Sequence, residues 1–389
     1  MLQLRKCFII LLASSVLLSG CWNARDIEQL IYIDSIGVDY VDKKVVVYLQ
    51  ILGFSNIAKK EGNAGRQQEP IAVVKGAGDT FVTAIAQIYS SAQQRLIWSH
   101  VHSIVFTTRA LKHNLFDQTI DSLDRYQEFR YTIWTFATTE PLEDIYNARP
   151  ILGISTLYSQ LGDPKDVYSQ YSFIRPLLLF RVISEYQEPN GVVRLPYLSI
   201  RKNQWKEDGR QKPHLMMEGI CYLQNKKFVG CFPRSDVLGI RWIEQETERT
   251  FLHPDKRKSA ILTVERPRVK IKPQMQRGKP AFDIDIKVDA YTTQLLNPTP
   301  VPILEKGAAK QIESEVRALY QKGVQSGIDT IGLGHLFYRK YPREWHRLNR
   351  DGRLVLTYDM LKKVRVKVNL TDGGIAKVRQ HKPQSSSKH

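Results

Sequence analysis

Phe282-Asp283-Ile284-Asp285-Ile286-Lys287-Val288-Asp289 alternates apolar and charged residues without a break. Successive side chains of a strand point to opposite faces, so Phe282, Ile284, Ile286 and Val288 face a core while Asp283, Asp285, Lys287 and Asp289 face water. The same alternation argues against paired catalytic carboxylates: the acids form the wet side of a strand. Downstream, 303–327 carries a helical apolar period, and Val364, Val366, Val368 and Leu370 make a final strand with Arg365 and Lys367 outward. Upstream, 261–264 and 268–272 read as extended, 216–232 as a hairpin, and Ser235 as the cap of a short helix reaching 243.

The first half has the same character. Segments 31–38 and 45–52 are β-rich and joined by Asp39-Tyr40-Val41-Asp42-Lys43-Lys44, a hairpin signal. A polar loop at 59–70 leads to a strand at 71–75. Asp79 is expected to cap a helix that places Val82, Ile85, Ala86 and Tyr89 on one face. Strand 102–106, helix 117–126, strand 131–137 and a helix from Pro141 follow. Segment 171–184 reads as a helix that Pro176 either starts or kinks, and 192–200 as extended. The fold class is α+β, with several domains, each a mixed or antiparallel sheet flanked by helices. The expected division is a signal peptide at 1–20, an N-terminal α+β region at 21–200 with room for two subdomains, a polar linker at 201–213, a C-terminal α+β domain at 214–376 and a flexible tail at 377–389.

The N-terminus sets the compartment. Arg5-Lys6 precedes an uncharged apolar run through Leu18, the layout of a secretory signal peptide, too short for a transmembrane helix of roughly 20 residues. Leu18-Ser19-Gly20-Cys21 resembles the lipobox of bacterial lipoproteins, which implies cleavage between Gly20 and Cys21 and a diacylglyceryl group on Cys21. Two acyl chains suffice for stable anchoring. The formal charge is +18, and removing Arg5 and Lys6 with the leader leaves +16. The cations are dispersed, without the basic helix or aromatic interleaving of a nucleic-acid module, so proximity to an anionic membrane is the simpler reading and no nucleic acid is expected. Cys221 and Cys231 flank a hairpin turning at Asn225-Lys226-Lys227. A bridge is chemically open in an oxidising compartment, but directly opposed strand positions hold Cβ atoms farther apart than a disulfide prefers, and two buried free thiols are expected.

No catalytic set is recognisable, and no cofactor or metal is expected. His100 and His102 share one strand face without a third ligand at familiar spacing. Gly76-Ala77-Gly78 is too short for a dinucleotide fingerprint and reads as a plain strand-to-helix turn.

Three separated stretches together resemble the Ger(x)C family, the lipoprotein C subunits of spore germinant receptors. Cys21-Trp22-Asn23-Ala24-Arg25-Asp26-Ile27-Glu28-Gln29-Leu30 is similar to the family's mature opening, followed by Ile36-Gly37-Val38-Asp39, though Asn23 stands where the family has an acid. Glu218-Gly219 to Lys227-Phe228-Val229-Gly230 is similar to its central hairpin. Asp329, Gly332 and Gly334, then Arg339, Pro342 and Trp345, resemble its late motif, which continues into the closing strand and Gly373-Gly374; the second tryptophan expected after Trp345 is absent.

The resemblance implies a non-enzymatic receptor component needed for spore germination, lipid-anchored on the extracytoplasmic face of the spore inner membrane beside integral-membrane A and B subunits. Asp329, Gly332, Gly334, Arg339, Pro342 and Trp345 are candidates either for partner contact or for structural roles: glycines suit positive φ, Pro342 a helix start, Trp345 a core. The alternative is an extracytoplasmic solute-binding lipoprotein, which requires two similar lobes around a deep polar cleft. An extracytoplasmic enzyme would require convergent carboxylates or a nucleophile-base pair.

Overall fold

Asp42 and Lys43 both take positive φ, 50° and 61°, so the chain reverses in two residues and pairs β1 (Leu30–Val41) with β2 (Lys44–Leu52) antiparallel. The protein is described by a computed structural model covering residues 30–53, 70–125, 129–255 and 259–371. The expected signal peptide, Gly20, Cys21, the loop at 59–69, Gly373-Gly374 and the 377–389 tail lie outside the described residues.

β3 (Ile71–Gly78) adds antiparallel to β2 and leads into α1 (Phe81–Ser91). The cap of α1 is Thr80 rather than the expected Asp79. The Thr80 hydroxyl accepts from the Thr83 amide while the Thr83 hydroxyl accepts from the Thr80 amide, a reciprocal box that satisfies two free amides. β4 (Arg95–Ile97) and β5 (Ser103–Thr107) pair parallel with β1, and after α2 (Thr108–Lys112) and α3 (Leu115–Asp124) strand β6 (Trp134–Thr138) pairs parallel with β5.

α4 (Leu142–Asn147) covers one face of this sheet, and α5 (Pro164–Gln170) places Lys165 over the Trp134 ring of β6 at 5.6 Å. The expected helix over 171–184 is corrected: β7 (Leu177–Leu178) pairs with β6, and α6 (Leu179–Gln187) starts only at Leu179. Pro176 has no amide to donate and pushes Arg175 out of helical geometry, so the helix begins after it.

The expected linker at 201–213 is corrected as well. β8 (Val192–Glu207) and β9 (Arg210–Gln224) form one long hairpin through Asp208-Gly209, both at positive φ. Asp-Gly is a strong turn signal. The tip lacks an apolar period because it projects beyond the core and both faces are wet, while Trp205 stacks on His214 at 5.1 Å and Lys212 pairs with Glu207 at 2.5 Å. β10 (Lys227–Pro233) completes a ten-stranded mixed sheet with the order β10-β9-β8-β6-β5-β1-β2-β3, β4 and β7 lying off this path.

Cys221 and Cys231 are disulfide-bonded, correcting the free-thiol expectation. The turn is two residues, Asn225-Lys226, and a register shift between Phe228 and Gly230 brings Cys231 opposite Cys221 with Cα atoms 3.9 Å apart. The Cα atoms of this pair lie closer than in a regular antiparallel ladder, which removes the distance objection.

In the second half the helix expected from Ser235 is split into a 3-10 turn at Arg234–Asp236 and α7 (Ile240–Ile243). β11 (Arg249–Leu252), β12 (Ala260–Gln276) and β13 (Lys279–Leu295) are antiparallel, and the two short extended segments foreseen are one strand with a bulge between Glu265 and Arg268. Phe282, Ile284, Ile286 and Val288 are buried as their alternation requires. α8 (Val301–Ser326) lays Leu304, Ala308, Ile312, Val316 and Leu319 on the sheet and ends at Gly327, φ +67°. α9 (Leu333–Lys340) and α10 (Pro342–Leu348) complete the crossover that lets β14 (Leu361–Thr371) run parallel to β13.

The halves share packing. The core of the four-stranded sheet also takes in Val192, Ile220, Tyr222 and Phe232 from the ten-stranded one.

Candidate functional site

The 329–345 motif is built around a buried carboxylate. Asp329 accepts from the amides of Gly332 at 2.8 Å, Leu333 at 2.9 Å and Gly334 at 2.6 Å, capping the free first turn of α9. Gly332, at φ +87°, supplies the left-handed entry. Burial pushes the Asp329 carboxyl above its ordinary pKa, opposed by the three amide bonds and by the Arg194 guanidinium.

Several bonds at and around this cap reach into the ten-stranded half. The Asp329 backbone amide donates to Gln224 Oε1 at 3.0 Å, Arg194 donates to the Ile331 carbonyl at 3.2 Å, and Asn225 Nδ2 donates to the Asp351 carbonyl at 2.9 Å. Asn190 Oδ1 accepts from the Leu354 amide at 2.6 Å and from Trp345 Nε1 at 3.4 Å. A Cβ on Gly334 would collide with the Asn190 side chain.

The motif residues therefore divide. Asp329, Gly332, Gly334 and Trp345 converge on the joint, Pro342 starts α10 at its first position, and Arg339 is exposed on α9. Asn190, Arg194 and Gln224 complete the joint and were not singled out from the sequence. Only Asn190 carried a signal, the Pro189-Asn190-Gly191 turn, where its φ is +54°. A charged cluster lies beside the joint: Arg175 meets Glu185 at 3.2 Å, Glu244 at 3.2 Å and Glu246 at 3.1 Å, and Glu244 lies 3.6 Å from Arg194.

The remaining candidates have local explanations. His102 Nδ1 lies 2.8 Å from Asp34 Oδ1, and among the described residues no group of three or more potential ligands could hold a metal. A Cβ on Gly76 would lie 2.2 Å from the Ala84 carbonyl oxygen, and one on Gly78 2.3 Å from Thr83 Oγ1, so these glycines let α1 pack against β3 rather than cradle a phosphate. A groove of about 590 Å³ runs between the β8–β9 arm and 148–176, with Tyr158, Val167 and Trp205 exposed along it, and no carboxylate or thiol lines it. It does not lie between two similar lobes, as the solute-binding alternative requires, because the ten-stranded and four-stranded sheets differ in topology.

The geometry defines a two-sheet α+β protein whose most distinctive motif holds its halves together. Residues 23–200 match the family model described as spore germination protein N-terminal domain, and residues 218–374 match the one described as spore germination B3/GerAC like, C-terminal. The chain belongs to this GerAC family of spore germination proteins. It is 26% identical over 373 residues to spore germination protein KC of Bacillus subtilis strain 168, covering 89% of this chain and 90% of that protein. Spore germination protein B3 of the same organism is 22% identical over 354 residues, covering 88% of this chain and 90% of that one. The crystal structure of the GerBC protein aligns with a TM-score of 0.49 at 16% identity, over 89% of this chain and 99% of that chain. The two matched regions are separated by 201–217, within the β8–β9 hairpin.

Proposed function

We propose that the chain is the C subunit of a nutrient germinant receptor, held by a diacylglyceryl group on Cys21 to the extracytoplasmic face of the spore inner membrane beside integral-membrane A and B subunits. The observation that carries the reading is the match to both halves of the germination family, in order, behind the Leu18-Ser19-Gly20-Cys21 lipobox. The reading assigns no catalysis. Asp329 and Trp345 are engaged in the joint and Arg339 is exposed, so what the subunit offers its partners is shape and surface.

The test is Cys21→Ala in the full-length chain, expressed in place of the native protein in spores. The native chain is expected to take up a clickable fatty acid, fractionate with the inner membrane and support nutrient-triggered loss of optical density. The variant is expected to lose the label and membrane retention and to germinate more slowly. A native chain whose Cys21 carries a free thiol by mass spectrometry, with retention and nutrient response unchanged in the variant, overturns the reading.

A further inference from the structure

Strand register places three rows of side chains on the outer face of β12–β13–β14: Arg268-Lys287-Lys367, Lys270-Asp285-Arg365 and Lys272-Asp283-Lys363. The opposite face carries Val269-Ile286-Val366 and Ile271-Ile284-Val364, which pack into the core, so the charged rows lie on the outer side. There the lysines and arginines are exposed or half-buried, and Asp283, contrary to its expected wet position, is buried beneath Arg365. Seven cations stand there against two carboxylates.

The carboxylates are already engaged. Asp285 takes Arg365 at 2.5 Å and Lys272 at 2.7 Å, Asp283 takes Arg365 at 3.2 Å, and Asp289 from the next row takes Arg268 at 2.8 Å. Lys270, Lys287, Lys363 and Lys367 are exposed and form no ion pair among the described residues. Lys287 and Lys367 are directly opposed, and like charges at such positions repel. The folded chain thus holds four unpaired lysines on one open face, whose mutual repulsion an external anionic surface would relieve.

We propose that this face lies against the anionic phospholipid of the membrane to which the chain is tethered. The inference rests on the anchored reading above and adds which side of the body meets the bilayer. A lipid surface fits better than an acidic protein because the three rows hold no aromatic or apolar side chain. A protein interface draws its binding energy from buried anchors of that kind, whereas attraction to a charged bilayer needs only Lys and Arg close to it.

The test uses the full-length lipidated protein reconstituted in mixed phosphatidylglycerol-phosphatidylcholine vesicles and in phosphatidylcholine vesicles alone. Exposed amines are labelled with a membrane-impermeant acetylating reagent and read by mass spectrometry. Lys270, Lys287, Lys363 and Lys367 are expected to label about fivefold more slowly on the anionic vesicles only, and Lys43, Lys112 and Lys310 equally on both. Molar salt, which shortens the screening length to about 3 Å, is expected to abolish the protection. Lys287→Gln with Lys367→Gln, both at exposed positions, is expected to release protection of Lys270 and Lys363. Equal labelling on both vesicles overturns the proposal. Protection seen only in native spore membranes also overturns it, assigning the face to an acidic protein. Failure of the tether is seen separately, as a chain that lacks acyl mass and floats with neither vesicle.

Discussion

A Cβ built on Gly334 would fall 2.1 Å from Nδ2 of Asn190, so the first turn of α9 touches the turn before β8 at a distance only glycine permits. The same asparagine accepts bonds from Leu354 and Trp345, which makes it one of the points where the four-stranded half grips the ten-stranded one.

Gly334→Ala is expected to lower stability by about 1–3 kcal/mol, the range for overpacking a filled site. Denaturant unfolding of the full-length protein measures it, and an unchanged midpoint contradicts the close approach. The exposed Arg339→Ala on the same helix is expected to leave the midpoint almost unmoved.

Asp329→Asn keeps the shape of the cap but turns an amide toward one of three backbone donors, so a loss of about 1–3 kcal/mol is expected. The pH dependence has a definite sign. Because burial raises the folded carboxyl above its unfolded value, the unfolded chain ionises first as pH rises. Stability attributable to this group is greatest in acid and falls as pH climbs through the folded pKa. Native stability should show that fall relative to the variant; parallel pH profiles would contradict it.

The Cys221–Cys231 bridge closes a short loop, with ten positions separating its ends. Replacing both cysteines by alanine is expected to cost about 2–4 kcal/mol. Intact-mass analysis without reductant should find this pair two hydrogens lighter than its dithiol; two free thiols there, with unchanged melting after substitution, would remove the bridge.

Asp285 is held down to about 2 by hydrogen bonds from Arg365 first and Lys272 second. A depressed carboxyl contributes stability above its unfolded pKa and loses it as pH falls through the folded one. The loss should fall between ordinary carboxylate values and about 2. Solvent screening keeps the contribution small, within about 1 kcal/mol. Resonance titration of the side chain checks the value, and an ordinary midpoint would mean that the ladder does not hold in solution.

Local periodicity carried much of the architecture. Alternation at 282–289 and 364–370 identified β13 and β14 with their inward faces, and the helical period at 303–327 identified α8 nearly to its ends. The Asp208-Gly209 turn was also present in the sequence, but the missing apolar period masked it, because the hairpin tip has no core beneath either face. Pro176 was correctly read as a disruption, yet its consequence, a strand before the helix, depends on β7 finding β6.

Order along the chain by itself determined the α+β class and the family, because each rests on residues within a few positions of one another or on motifs in sequence. Tertiary structure alone decided that Asp329, Gly334 and Trp345 form a joint with Asn190, Arg194 and Gln224. It also decided that Cys231 meets Cys221 and that the cations of β12, β13 and β14 share an open face. Those outcomes turn on register and on ångström-scale approach between distant segments, which only the packed chain specifies.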